Sequence, residues 1–209
     1  MEGTVPTVFV VDDDSTVRQA LARLLRSLGL QVETFASARE FLTRARPDGP
    51  ACLILDVRLP GENGLLVQHA LQAAEESLPI IFLTGYGTVP LCVQAMQRGA
   101  VDFLLKPVDD EALLAAVATA LAQDARTRDR QRHRAAVRAC FATLTPRERE
   151  VLGLVITGMP NKDIAATLGA SEKTIKAHRA RVMQKMQASS LAALVRMAAL
   201  LGLEEAQTE

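Results

Sequence analysis

Five short runs of β-branched and apolar residues recur at similar intervals through the first half of this 209-residue chain, at 7–11, 31–35, 52–55, 80–83 and 102–105. Between them apolar positions take helical spacing, as in Val17, Leu21, Leu24, Leu25 and Leu28, which share one face of a helix. Strand therefore alternates with helix. Right-handed crossovers between parallel strands then give an α/β domain, a doubly wound five-stranded parallel sheet covered on both faces. Functional side chains of such a sheet collect in loops at the carboxyl ends of its strands.

The alternation stops near Ala122. Segment 124–143, opening DARTRDRQRHRAAVR, is too polar for a core of its own and reads as a solvated helical linker, open to continuing the fifth helix. From Leu144 onward every segment carries helix signals. Thr145, Pro146 and Glu148 form a capping box with proline in the first turn. Gly158, Met159 and Pro160 end that helix, and Asn161 is expected to cap a short one from Lys162 to Leu168. Gly169 makes the turn, Ser171 and Thr174 open a longer helix to about Gln187, and Leu191, Leu194, Val195 and Ala198 mark a closing amphipathic helix. The expected layout is an α/β domain at 1–123, a linker at 124–143 and a small all-α domain at 144–209.

The charge divides the same way. Residues 1–123 hold nine Lys and Arg against fifteen Asp and Glu, a net of −6, whereas 124–209 hold fifteen against nine, a net of +6. A basic helical end is the electrostatic footprint of a nucleic-acid binder, set against the plainer reading of a solvated basic surface. The longest apolar stretch, 112–122, is shorter than the roughly 20 residues that cross a bilayer, and the N-terminal run lacks a leader pattern. A cytoplasmic protein without membrane contact is expected. Cys52, Cys92 and Cys140 are odd in number and widely spaced, which suits reduced thiols packed as small hydrophobes. Aromatics make up 3% with no Trp, which disfavours sites built on aromatic stacking.

Asp12, Asp13 and Asp14 follow the first strand, Asp56 the third, Thr84 ends the fourth, and Lys106 follows the fifth ahead of Pro107. The fold brings these to one end of the sheet. Crowded carboxylates repel unless a cation joins them, and hard oxygen ligands suit Mg²⁺. Carboxylates, a hydroxyl and an ammonium converging on one spot can hold a dianionic phosphoryl group, with one carboxylate as nucleophile. Singly, these residues have ordinary readings: Asp13 or Asp14 as a helix cap, Thr84 in a turn, Lys106 as a solvated charge.

The stretches VVDDD (10–14), LDVRLPGENG (55–64), TGYG (84–87) and DFLLKP (102–107) resemble the receiver domain of two-component response regulators. That resemblance implies a flavodoxin-like sheet with Asp56 as phospho-acceptor and Asp12, Asp13, Asp56 and the backbone carbonyl of Arg58 as Mg²⁺ ligands. It also implies signalling roles for Thr84 and Lys106, Phe103 as an aromatic switch, and a cis bond before Pro107. Leu59 stands where relatives more often have Met, and Thr88 where they often have Asp.

Residues 145–197, from TPREREVLGLVITG through NKDIAATLGASEKTIKAHRARVMQKM, resemble the LuxR-type helix-turn-helix of NarL/FixJ regulators. In the longer helix Ile175, Val182 and Met186 are spaced to face a core, leaving Lys176, Ala177, Arg179 and Ala180 outward. Cations with small side chains suit a major groove. The expected DNA-contacting set is Lys162, Lys173, Thr174, Lys176, Ala177, His178, Arg179, Arg181 and Lys185. His178 is expected to pack or meet phosphate rather than bind metal, since no second ligand has suitable spacing.

Together the two resemblances imply a phosphorylation-controlled, DNA-binding transcriptional regulator. Its partners would be a sensor histidine kinase, promoter DNA and a second copy of the chain on phosphorylation, with RNA polymerase a further one. Beyond assisting its own phosphotransfer and dephosphorylation, it would not be an enzyme. Three other readings stand beside it. An aspartate-dependent phosphohydrolase would need an acid two residues after its nucleophile, where this chain has Arg58. A ligand-sensing regulator would need Trp and Tyr for its pocket. A regulator whose receiver only docks would not need the intact acidic set.

Overall fold

The computed structural model describes residues 4–45, 47–74, 76–85 and 87–203, the side chain of Glu62 excepted. Residues 1–3 and 204–209, at the outer ends of the two expected domains, and Tyr86 of the TGYG stretch lie outside the described residues. Two compact units divide between Asp129 and Arg130.

The first unit is built on strands β1 (Thr7–Val11), β2 (Gln31–Phe35), β3 (Ala51–Asp56), β6 (Ile80–Thr84) and β7 (Asp102–Leu105), with the two-residue strands β4 (Arg58–Leu59) and β5 (Glu62–Asn63) forming a small hairpin between β3 and β6. The main sheet runs β2-β1-β3-β6-β7, all parallel. Chain order reverses beside β1, so the carboxyl ends of β1 and β3 flank the crevice where such sheets bind ligands. Central strands β1, β3 and β6 are buried on both faces, which explains their unbroken apolar runs. Alternate residues serve opposite layers: Phe9, Leu53, Leu55 and Phe82 pack with Phe41, Leu65 and Leu71, whereas Val8, Val10, Ile54 and Ile81 pack with Leu21, Leu25, Leu113 and Val117. Each such buried side chain contributes on the order of 1.5–3 kcal/mol.

Helices α1 (Ser15–Ser27), α2 (Ala38–Leu42), α3 (Gly64–Ala73) and α4 (Val89–Gln97) connect the strands. Helix α5 runs Asp110–Ala142 without interruption, so it continues through the segment expected to be a linker. Nor is that segment wholly solvated. Asp124 is buried, and Val137 packs in the core of the second unit. Polarity ruled out a core made by this segment alone; it did not rule out borrowing one from either neighbour.

The second unit closes with α6 (Pro146–Ile156), α7 (Asn161–Thr167), α8 (Glu172–Lys185) and α9 (Leu191–Leu200). The expected capping box is formed: Thr145 accepts from the Glu148 N–H, and the Glu148 carboxylate accepts from the Thr145 N–H at 2.8 Å. Asn161 does not cap α7. Pro160 holds that position, and Asn161 is the first helical residue. The three cysteines are free, and burial, with the Asp124 carboxylate adding to it, pushes the Cys52 thiol up to about 12. Among the described residues no helix is long and apolar enough to cross a membrane.

Candidate metal centre and nucleic-acid interface

The three successive aspartates after β1 divide their work. Asp14 caps α1, accepting from the Thr16 N–H at 2.7 Å and the Val17 N–H at 3.4 Å. Asp12 is 1% exposed; one of its oxygens accepts from the Asp14 N–H at 2.9 Å and the other from Lys106 Nζ at 2.5 Å. Asp13 is exposed and joins Asp12 and Asp56 in a group in which one carboxylate oxygen from each residue lies within 4.8 Å of the other two.

Asp56 ends β3, accepting from the Arg58 N–H at 2.9 Å through one oxygen and from Lys106 Nζ at 2.6 Å through the other. Lys106 thus bridges strand ends that are 94 and 50 residues away in sequence. Thr84 is fully buried at the end of β6, and its carbonyl accepts the Lys106 N–H at 2.8 Å. The Lys106–Pro107 bond is cis, as the resemblance implied. Phe103 is half-buried in β7, with its ring centroid 6.3 Å from that of Phe82.

One ammonium faces three carboxylates here. Burial holds the Asp12 carboxyl above its ordinary range, and the hydrogen bonds from Lys106 and Asp14 only partly offset it. For Lys106 burial opposes the charge, but hydrogen bonds to Asp12 and Asp56 outweigh it and raise its pKa. The pocket therefore carries surplus negative charge on hard oxygens, a donor set that fits Mg²⁺.

Two supporting residues were not singled out from the sequence. Gly64 opens α3 so close to β3 that a Cβ there would lie 2.5 Å from the Asp56 carbonyl oxygen. The glycine after Asn63 was the available signal. Arg18 donates through Nη1 to the Asp12 carbonyl at 2.6 Å, fixing the loop from behind. No sequence pattern marks that contact.

In the second unit Gly169, at φ +60°, turns the chain between α7 and α8. Ile175, Val182 and Met186 are buried as expected. Lys162, Lys173, Thr174, Lys176, Ala177, Ala180 and Arg181 are exposed. Lys176 pairs with Glu172 one turn earlier at 3.0 Å, and the Thr174 hydroxyl hydrogen-bonds with that of Ser171 at 2.8 Å. His178 is half-buried, and its Nδ1 has no hydrogen-bond partner among the described residues.

Two of the expected cations are engaged elsewhere. Lys185 Nζ donates to the Glu148 carboxylate at 2.6 Å and to the Thr143 carbonyl at 3.1 Å, so its charge ties α8 to the start of α6. Arg179, expected to face outward, is half-buried and donates to Asn161 Oδ1 at 3.1 Å, bracing α8 against α7. The Lys185 ammonium and then the Thr145 N–H hold the Glu148 carboxyl down at about 2.

Comparison with known proteins agrees with this geometry. The family described as "Response regulator receiver domain" matches residues 8–118, and that described as "Bacterial regulatory proteins, luxR family" matches 142–198. Nodulation protein W of Bradyrhizobium diazoefficiens is 50% identical over 206 residues, covering 99% of this chain and 91% of that protein. Transcriptional regulatory protein FixJ of Azorhizobium caulinodans is 45% identical over 199 residues, covering 95% and 94%. The solved structure of response regulator StyR, 45% identical, superposes with a TM-score of 0.85 over 94% of this chain and 99% of that one. A receiver sheet with its acidic pocket, followed by a LuxR-type helix-turn-helix, places this chain among the NarL/FixJ-type response regulators, phosphorylation-controlled transcription regulators that bind DNA.

Proposed function

We propose that Asp56 accepts a phosphoryl group from a partner sensor histidine kinase and that this modification raises promoter binding by the helix-turn-helix. The observation that carries the reading is the convergence of Asp12, Asp56 and Lys106, with the ammonium 2.5 and 2.6 Å from the two carboxylates. In the transfer, an Asp56 carboxylate oxygen bonds to phosphorus while the P–N bond to the kinase imidazole breaks, the nitrogen keeping the electron pair. Lys106 would shift from the carboxylate to a phosphoryl oxygen, and the Thr84 hydroxyl would donate to another. Asp12, Asp13, Asp56 and the Arg58 carbonyl would hold Mg²⁺, which when bound offsets the repulsion between an anionic donor and an anionic nucleophile. The same residues would assist dephosphorylation of Asp56.

Thr84 and Phe103 would carry the state of Asp56 to α4 and β7. There Val89 is 78% exposed and Leu105 57%, with Val93 and Met96 beside them, an apolar face that suits a homodimer formed on phosphorylation. The dimer would present two copies of α8 to promoter DNA. Lys162, Lys173, Thr174, Lys176, Ala177, His178 and Arg181 form the proposed contacting set, Arg179 and Lys185 acting chiefly within the fold. RNA polymerase is a further proposed partner, and the cytoplasm the proposed location.

Incubation with a small phosphodonor and Mg²⁺ tests the reading by intact mass. One phosphoryl group should add to the wild-type chain and none to Asp56→Asn. Equal labelling of that variant, or labelling that survives chelation of the metal, would overturn it.

A further inference from the structure

Asp124 is a carboxylate that the functional reading leaves unused, although it is 1% exposed. Its Oδ2 accepts from the Ala51 N–H at 2.8 Å and from Arg128 Nε at 2.6 Å. Arg128 in turn donates through Nη1 to the carbonyls of Pro47 and Asp48 at 3.0 and 3.3 Å. A buried charge is tolerated only where it is paired and hydrogen-bonded. Here the pairing grips the first residue of β3, the strand whose last residue is Asp56.

Beyond this clamp burial stops. Residues 129–136 are exposed without exception, and burial resumes at Val137 in the second unit. Eight helical residues span about 12 Å. Arg126, Arg130, Arg134 and Arg138 follow at intervals of four, a spacing at which like charges on a helix repel.

We propose that Asp124 and Arg128 are positioning residues that make α5 part of the receiver body as far as Arg128, so that the joint of the molecule is 129–136 rather than the whole of 124–143. Movement at the Asp56 end of β3 then reaches the joint through a strand and a clamped helix, not through a loose tether. The mechanical part stands on the contacts of Asp124 alone; the signalling part rests on Asp56 as the phosphoryl acceptor.

Limited trypsin digestion of the full chain, read by mass, tests the clamp. In the wild-type protein the first cuts within α5 should follow Arg130, Arg132 and Arg134, with Arg126 resistant. In Arg128→Ala, cleavage after Arg126 should rise by roughly tenfold as the local opening becomes easier. Arg128→Lys, which keeps a cation beside Asp124 but not the fork onto Pro47 and Asp48, should fall between the two and serves if Arg128→Ala does not fold. Both variants should take up phosphate at Asp56 while showing a smaller phosphorylation-induced gain in promoter affinity. Cleavage after Arg126 as fast as after Arg130 in the wild type, or unchanged resistance in folded variants, would overturn the clamp. A full gain in the variants would overturn its signalling role. If the phosphorylated wild type itself shows no gain, the proposed control of promoter binding by Asp56 fails, and the cleavage map still decides the clamp.

Discussion

Gly64 shows how narrowly the pocket is built. Its missing side chain lets α3 start against the Asp56 carbonyl, and a Cβ would meet backbone on that side at 2.5 Å. Gly64→Ala should therefore displace either the end of β3 or the start of α3, costing about 1–3 kcal/mol and slowing phosphoryl uptake, measured by thermal unfolding and by intact mass over time. Labelling at the wild-type rate would show that the close approach does not position the acceptor. In the helical unit the telling residue is Glu148. Its carboxyl sits at about 2 in the folded chain, against an ordinary 4.5. Between those values the unfolded chain binds a proton that the folded chain refuses, so the stabilisation is complete above about pH 4.5 and is lost as pH falls toward 2. Glu148→Gln should be less stable than wild type at pH 6, and the two should converge by pH 2–3 in melts followed by far-UV circular dichroism. These partners were not legible beforehand. The sequence shows that Lys185 is a cation on a basic helix, but whether it meets phosphate or Glu148 is decided by how α8 crosses α6, 37 residues away.

At the level of elements, periodicity located the strands, and through them the site: Asp12, Asp56 and Thr84 end or follow the unbroken apolar runs of buried parallel strands, and Lys106 follows the half-buried edge strand β7. Helix α5 was harder to read. Helical hydrogen bonds close within the segment, so a polar stretch can stay helical without an apolar face of its own, and Asp124 finds its partner 73 residues back at Ala51. The caps, being local, were legible where a hydroxyl stood three residues ahead of its N–H, as at Thr145 and Ser171; at Asn161 the side chain was claimed by Arg179 instead. On α8, the proposed DNA-contacting helix, one cation stands out. Lys176 is exposed and paired with Glu172, also exposed, a pair that costs little to open. Lys176→Ala should lose about 1–3 kcal/mol on specific DNA if the ammonium reads a base, and distinctly less on random duplexes. Equal losses on both, in titrations at one salt concentration, would assign it to the phosphate backbone.

Across the whole molecule, a net charge of zero conceals an acidic receiver half and a basic remainder. Each phosphate met by a Lys or Arg releases counterions and adds about −0.9 to the slope of log affinity against log salt, so promoter binding should weaken steeply with ionic strength. Joining two helix-turn-helix units adds affinity through effective concentration without a new base contact, and half-sites about one helical turn apart would follow. Phosphorylation of Asp56 is proposed to set this assembly. Its most direct test measures sedimentation and affinity together, for the full chain and Asp56→Asn, before and after treatment with a small phosphodonor and Mg²⁺, on an operator selected from random duplexes. The wild type should gain dimer and affinity together and the variant neither. The same gain in Asp56→Asn, or a wild-type chain carrying the phosphoryl group with both quantities unchanged, would contradict it.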